Sequence, residues 1–355
     1  MEAATSISTP VEQYCPQFAD LQVLEGFDGD TPRLRPVASK ATVKQLITHT
    51  AGVSYWFWNA DLVRWEAATG TPNVLSGSKV IFGAPLVADP GTRLEYGIST
   101  DWLGQVVEAV SGRALDVAVK EAVTGPLRMG ETEFAPSDAQ RADLTPVHLN
   151  GTDGTWAPSE MELPVGPEYW AGGHGLHSTP RDYLTFQRAL LGGGQLDGTR
   201  ILSEQTVEAA FTNQIGDLDF PASFETAAPD STASFTAGLD CKWSYGLLLN
   251  NKDIPGRRRA GSGAWAGLCK TYFWVDRPAG VTGAVYTQFR PFVTPEAVEV
   301  YSDFETAPYA RCSDGVSRLR APRCGGGPRT WSGSRSAAAH AIAAWMRGTD
   351  KATVT

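Results

Sequence analysis

Apolar residues recur with helical spacing at four places in the first 191 residues of the chain. Each of these stretches is bounded by residues that favour a helix end. Thr42 can cap the first stretch, Pro180 occupies the first position of the last, and glycines follow all four. The pattern therefore predicts helices at residues 42–50, 101–110, 114–123 and 179–191.

Strand-like segments are concentrated in the second half of the chain. Residues 243–249, 268–275 and 281–289 are rich in aromatic and β-branched side chains. Residues 276–280 have turn composition and predict a hairpin, and residues 295–307 predict a further helix. Helices followed by an antiparallel sheet predict an α/β (α+β) fold, with a mostly helical subdomain inserted in or preceding the sheet layer.

Composition and charge narrow the class of protein. The 355 residues are 42% hydrophobic and 19% charged, which is typical of a globular domain with a core. The net charge of −9 disfavours nucleic-acid and membrane-surface partners. There is no apolar run long enough to span a membrane, and residues 1–10 lack a secretory signal pattern, so we expect a cytoplasmic protein. The five cysteines are scattered without a CxxC pair, so we expect no disulfide framework, no metal and no cofactor.

The C-terminal end differs from the rest of the chain. Residues 311–355 contain 8 Lys and Arg against 2 Asp and Glu, together with a Gly-Gly-Gly-Pro stretch and a Ser/Arg run. This break in composition predicts a basic, mobile extension that begins after residue 310.

Familiar catalytic motifs are mostly missing. The sequence contains no Gly-x-Ser-x-Gly, His-Glu-x-x-His, Walker loop or Gly-x-Gly-x-x-Gly pattern. One Ser-x-x-Lys match exists, at Ser76 and Lys79; on a helix this spacing would bring the amine to the hydroxyl. Because Gly77 and turn-forming neighbours oppose a helix there, a polar loop is the preferred interpretation, with a nucleophile as the alternative.

Other candidates lie next to glycines. Tyr96 follows the turn at residues 90–92 and is a candidate general base, if a cation stabilises its phenolate; an ordinary half-buried aromatic is the alternative. Residues 261–267 lead to a strand whose backbone can approach a ligand. His174 and His177 lie in the stretch AGGHGLHS, where structural roles are the more common outcome.

Several stretches together resemble the serine β-lactamase-like superfamily, in particular family VIII carboxylesterases and lovastatin-type transesterases. The matching stretches follow the family order across residues 9–310: VLEGFDGDTPRLR, QLITHTAG, DPGTRLEYGISTDWLG, PLRM, WAGGHGLHS, WSYGLL and residues 261–276. The resemblance implies a β-lactamase/transpeptidase-like domain at residues 1–310. Within it, residues 40–215 would be mostly helical, and residues 240–310 would form the sheet and the final helix.

The resemblance also implies roles for individual residues. Tyr96 matches the family tyrosine that acts as a general base together with a lysine. Trp265 and Gly267 fall where lactamases have Lys-Thr-Gly, and Trp170 and His174 lie in a further matching stretch, so we expect these four to bind substrate. The implied activity is ester hydrolysis or acyl transfer on small-molecule esters or acyl-thioesters through an acyl-serine, a reaction type of secondary metabolism.

One departure from the family pattern leaves three interpretations open. The family Ser-x-x-Lys precedes the THTAG block, whereas Ser76 and Lys79 follow it and the preceding residues contain no such pair. The chain is then an N-terminally incomplete enzyme, or a catalytically inactive protein that at most binds a small molecule, or an enzyme in which Ser76 and Lys79 or another group substitutes and weak hydrolysis survives. The aromatic block at residues 55–58 is equally consistent with a pocket wall and with core packing.

Overall fold

Local signals set most helix boundaries in the computed structural model, which describes residues 6–151, 154–224 and 238–313. Thr42 and Gln45 form a capping box, and Thr179 accepts a hydrogen bond from the backbone N–H of Asp182. The α-helices are α1 (Val43–Ile47), α2 (Ala60–Thr69), α3 (Ser99–Ser111), α4 (Leu115–Val119), α5 (Asp138–Ala142), α6 (Pro180–Leu191), α7 (Glu204–Ala210) and α8 (Pro295–Ser313).

The five predicted helices are confirmed, with shifted ends. α1 ends before the predicted limit because His49 adopts a left-handed conformation (φ 52°). α4 continues as a π-helical turn at Lys120–Thr124. α8 begins at the predicted residue and runs on to Ser313. The expected extension at residues 311–355 otherwise lies outside the described residues.

Among the described residues, strands pair in four sheets, the largest of which has five strands in the order β11-β10-β9-β8-β7, all antiparallel. The strands are β1 (Val23–Asp28), β2 (Thr31–Arg35), β3 (His148–Asn150), β4 (Trp156–Pro158), β5 (Gln195–Leu196), β6 (Thr199–Arg200), β7 (Cys241–Trp243), β8 (Leu248–Asn250), β9 (Gly263–Gly267), β10 (Thr271–Asp276) and β11 (Val281–Val285).

The predicted strand at residues 243–249 is wrong. Trp243 ends β7 and pairs with Leu248 at the start of β8, so the segment is a hairpin turn. Gly246 adopts a φ of 85° there, a conformation that a continuous strand does not allow. The other two strand predictions are confirmed in part: residues 268–270 form a turn before β10, and β11 ends at Val285. The predicted hairpin between β10 and β11 is confirmed by the pairing of Asp276 with Val281.

Two regions of core pack on either side of the candidate site. In the helical region the buried side chains of Leu46 and Trp102 join α1 to α3, with the ring of Phe82 4.7 Å from that of Trp102. In the sheet region α6 packs on β10 and β11, and its buried Gln187 donates hydrogen bonds to the carbonyl of Gly283 (3.2 Å) and the hydroxyl of Thr282 (3.1 Å).

Buried charges attach α8 to the sheet region. Glu305 on α8 is fully buried and accepts hydrogen bonds from the backbone N–H (3.4 Å) and the guanidinium (3.2 Å) of Arg258. Tyr309 on the same helix donates a hydrogen bond to the buried carboxylate of Asp276 at 2.9 Å. These contacts hold the helix in a fixed orientation against the strands that carry part of the site.

Candidate active site

A cavity of about 340 Å³ lies between the helical region and the sheet region. Its walls are mainly aromatic and aliphatic, and this size and character suit a small organic ligand. Its side-chain lining includes Tyr55, Phe57, Trp58, Leu75, Tyr96, Arg141, Leu144, Val147, Met161, Glu162, His174, His177, Trp265, Leu268 and Phe292.

Tyr96 is held in this wall by aromatic neighbours from both regions. Its hydroxyl accepts a hydrogen bond of 2.9 Å from the indole Nε1 of Trp265, and its ring stacks on the imidazole of His49 at 4.1 Å. The rings of Trp58 and Trp243 lie 5.1 and 5.9 Å from that of Tyr96. Burial among these rings raises the pKa of Tyr96 to about 12, so the phenol is protonated at neutral pH.

Close backbone packing fixes the position of Tyr96. A Cβ atom on the next residue, Gly97, would lie 2.2 Å from the Cα of Ser54, so only glycine permits this approach. The Gly97 N–H donates to Nδ1 of His49 at 3.4 Å, and the Glu95 N–H donates to the carbonyl of His49 at 2.8 Å. Burial lowers the pKa of His49 to about 3, so its ring is neutral and free to accept this bond.

The sheet contributes backbone as well as side chains. β10 pairs with all of β9, whereas β8 pairs with β9 only at Ala264 and Gly263 among the described strands. Ala266 and Gly267 lie beyond that pairing and line the cavity. A strand backbone at such a position can present N–H donors to a bound carbonyl oxygen.

Asp101 lies behind the cavity wall and was not identified from the sequence. The residue is fully buried, and its Oδ1 accepts a hydrogen bond of 3.2 Å from the Gly173 N–H. Nδ1 of His174, a lining residue, is 4.0 Å from the same oxygen. Burial raises the pKa of Asp101 to about 7. The sequence showed only a helix start here, because the neighbours of Asp101 come from a distant loop.

The structure brings four of the five predicted site residues to one cavity: Tyr96, Trp265, Gly267 and His174 line it. Trp170 is not among the lining residues; its ring packs against that of Phe134 at 5.9 Å.

The aromatic block at residues 55–58 divides between its two interpretations. Its first, third and fourth residues line the cavity, and the second lines a smaller neighbouring pocket.

Ser76 and Lys79 do not share a helical face. Ser76 ends a short 3₁₀ turn, Gly77 follows with a φ of 70°, and Ser78 caps the next turn. Ser76 and Lys79 are exposed, and the backbone N–H of Lys79 donates to the carboxylate of Glu168 at 2.6 Å. The polar-loop interpretation is therefore the one that fits this geometry.

Within residues 6–151, 154–224 and 238–313, no group of three or more His, Cys, Asp or Glu side chains is arranged to hold a metal ion. Over the same residues, no helix has the length and apolar character needed to cross a bilayer.

Comparison with known proteins gives consistent matches over most of the chain. The family described as Beta-lactamase matches residues 2–307. Lovastatin esterase of Penicillium rubens is 29% identical over 290 residues, which cover 78% of this chain and 72% of that protein. Monacolin J acid methylbutanoyltransferase of Aspergillus terreus is 28% identical over 319 residues, covering 86% and 76% respectively.

Solved structures agree in fold. A mutant of simvastatin synthase (LovD) from Aspergillus terreus matches with a TM-score of 0.74 at 27% identity, covering 87% of this chain and 77% of that one. EstCE1, a hydrolase with promiscuous acyltransferase activity, has a TM-score of 0.62 at 19% identity, covering 80% and 73%. These matches confirm the predicted fold class.

Proposed function

The chain belongs to the β-lactamase family, as its sequence predicted, and on that premise we propose that it hydrolyses or transfers the acyl group of a small-molecule ester or thioester. The relatives above are named as an esterase and an acyltransferase. The two activities differ in whether water or an alcohol accepts the acyl group from the acyl-enzyme. Both require a group that moves a proton beside the acyl carbon.

The observation that carries this proposal is the hydrogen bond between Trp265 and Tyr96 at the cavity wall. As a phenolate, Tyr96 can accept the proton of the attacking hydroxyl as the new bond to the acyl carbon forms, and then give that proton to the departing oxygen or sulfur as the old bond breaks. The indole N–H stabilises the phenolate before the first step and after the second. Because burial raises the pKa of Tyr96 to about 12, action as a base also requires a cation in the reacting complex. The family resemblance assigns that cation to a lysine.

The backbone of β9 supplies the second element of the proposal. Ala266 and Gly267 line the cavity beside Trp265, where a backbone N–H can bind the oxygen of the acyl carbonyl. A donor of this kind contributes about 2.7 to 4 kcal/mol to an acyl-transfer transition state. Tyr55, Phe57 and the other aromatic lining residues favour a substrate with an apolar acyl or alcohol portion.

Hydrolysis of p-nitrophenyl butyrate tests the proposal, with Tyr245→Phe as the matched control for Tyr96→Phe. Tyr245 lies in the turn between β7 and β8, outside the cavity lining. We expect kcat to fall about 10²- to 10⁴-fold in Tyr96→Phe and to stay unchanged in the control. Equal rates in wild type and Tyr96→Phe would remove Tyr96 from the mechanism.

A second candidate function, binding of a small molecule without turnover, is favoured by the position of Ser76 and Lys79 outside the cavity lining. A Ser76→Ala variant separates the possibilities in the same assay. Activity lost in Ser76→Ala would assign the nucleophile to Ser76, and activity retained would place it elsewhere. If neither wild type nor the variants hydrolyse the ester, but the ester raises the melting temperature of wild type, the protein binds the small molecule without turnover.

The proposed substrate is a small-molecule ester or acyl-thioester. We expect neither nucleic acid nor a membrane as a partner. The cytoplasmic location remains a prediction from the sequence, and fractionation of the native host with an antibody against the chain would test it.

A further inference from the structure

The loop that carries His174 is built around the carboxyl group of Asp101. A Cβ atom at Gly173 would lie 2.9 Å from Oδ2 of Asp101, and one at Gly172 would lie 2.3 Å from the carbonyl oxygen of Thr100. Two successive glycines are therefore what allows the loop to reach the start of α3. The close approach brings the next residue, His174, beside the buried acid and leaves it in the cavity wall.

The hydrogen-bonding capacity of Asp101 is only partly used within the described residues. Oδ1 accepts the Gly173 N–H, whereas Oδ2 is buried and accepts no hydrogen bond from them. A buried carboxyl group with an unused oxygen is costly unless a partner reaches it or it holds a proton. His174 is the imidazole beside this carboxyl group. Its Nδ1 is 4.0 Å from Oδ1, which has a second lone pair besides the one that the Gly173 N–H uses, and a shift of about 1 Å gives hydrogen-bond distance.

We propose that Asp101 is a positioning residue that selects the tautomer of His174, and so determines whether the imidazole presents a lone pair or an N–H to the cavity. When Asp101 is ionised it accepts a hydrogen bond from the Nδ1–H of His174, and Nε2 keeps its lone pair. When Asp101 is protonated its O–H donates to Nδ1, and the imidazole proton is on Nε2. The two states differ by one proton, and the imidazole is neutral in both.

The surroundings make this exchange accessible near neutral pH. Burial raises the pKa of Asp101 to about 7 and lowers that of His174 to about 4, so the carboxyl group titrates while the ring stays uncharged. The phenols whose charge couples to Asp101 have raised pKa values and remain neutral over this range: Tyr55, Tyr96 and Tyr169. The other ionisable side chains that line the same cavity are Arg141, Glu162, His177 and Cys269.

This inference rests on the proposed function only for the catalytic use of the two tautomers. In that function, a lone pair on Nε2 can accept a proton from an attacking alcohol or water, and an N–H at Nε2 can donate to a departing group. The tautomer itself is measurable without turnover. Nitrogen-15 NMR of the imidazole rings distinguishes the two tautomers, and a His174→Gln variant assigns the signals.

We expect the His174 nitrogen shifts of wild type to exchange between the two tautomer patterns from about pH 5.5 to 8.5, with a midpoint near the pKa of Asp101. In Asp101→Asn we expect one pattern over the whole range. His177 is the internal control: it lies in the same loop and makes no hydrogen bond or ion pair with Asp101 among the described residues, so its signals should be the same in both proteins. If Asp101 had only a structural role, the tautomer equilibrium of His174 would not change with pH.

Two results would overturn the proposal: one tautomer in wild type across the range, or a pH-dependent exchange that persists in Asp101→Asn. If Asp101→Asn fails to fold, infrared spectroscopy of wild type provides the second measurement. A buried carboxylic acid that ionises with the same midpoint as the tautomer exchange supports the pairing, and its absence refutes it. A tautomer exchange in a protein without esterase activity would contradict the proposed function and leave this inference intact.

Discussion

The hydrogen bond from Trp265 to Tyr96 can be tested by removing its donor while keeping an aromatic ring. In Trp265→Phe the hydroxyl of Tyr96 loses the indole N–H that lies 2.9 Å away. The new ring can still occupy the space between Tyr96 and Trp243, whose centroids lie 4.9 and 4.5 Å from that of Trp265. The perturbation is therefore mainly the loss of one donor to one oxygen.

The free energy lost with this hydrogen bond depends on the charge of the Tyr96 hydroxyl oxygen. In the resting protein the phenol is neutral, and a neutral hydrogen bond contributes about 0.5 to 1.5 kcal/mol to stability. If Tyr96 carries negative charge in the transition state, the same donor contributes about 1.5 to 3 kcal/mol. The second value corresponds to a rate loss of about 10- to 150-fold. We therefore expect Trp265→Phe to have a larger effect on kcat than on the free energy of unfolding.

A double-mutant cycle separates this coupling from general disturbance of the cavity. Wild type, Tyr96→Phe, Trp265→Phe and the double variant are compared in urea unfolding and in p-nitrophenyl butyrate hydrolysis. We expect Trp265→Phe to have little further effect on the rate once Tyr96 is phenylalanine. Trp265→Phe at the wild-type rate, or with the same rate loss in both backgrounds, would refute the charged-phenolate role.

Three other changes have definite expected outcomes. Glu305→Gln leaves the largely buried Arg258 without this counter-ion and should lower the free energy of unfolding by about 3 to 5 kcal/mol in urea titrations. The exposed control Asp303→Asn should change it by less than about 0.5 kcal/mol. Gly97→Ala forces a Cβ against backbone and should cost about 3 kcal/mol, whereas Gly83→Ala, with nothing within 4 Å, should cost little by the same measurement. Because burial lowers the pKa of His49 to about 3 from 6.5, protons bind the unfolded chain first and stability should fall as pH decreases between these values. In His49→Asn the asparagine tolerates the left-handed backbone, and the loss of stability between these pH values should become smaller. An unchanged slope would contradict the assignment of this pH dependence to His49.

The elements that the sequence predicted well are those determined by neighbouring residues. α1 and α6 begin where Thr42 and Thr179 provide caps, and α3 ends where Gly112 adopts the left-handed conformation. Capping depends on residues a few positions apart, so it is visible in the sequence. The family resemblance in turn identified Tyr96 and Trp265, which meet in the cavity.

The features that the sequence predicted wrongly or did not reveal depend on residues distant in the chain or on a single turn-forming residue. The segment at residues 243–249 has strand composition throughout, and only Gly246 indicated the turn that divides it. Asp101 looks like an ordinary residue in the first turn of a helix. Its burial depends on Gly172 and Gly173, which arrive about 70 positions later in the chain. Pairings of that kind are determined by tertiary packing and have no local sequence pattern.

The contact between Tyr96 and Trp265 joins residues 169 positions apart in the chain. A ligand in the cavity touches both segments and therefore binds the folded chain in preference to the unfolded one. At a concentration 100 times its Kd, such a ligand adds about 2.7 kcal/mol to stability. We therefore expect the amount of intact protein in a cell to rise with the supply of such a ligand. Proteases remove the unfolded chain, so an abundant ligand would prolong the lifetime of the protein that binds it.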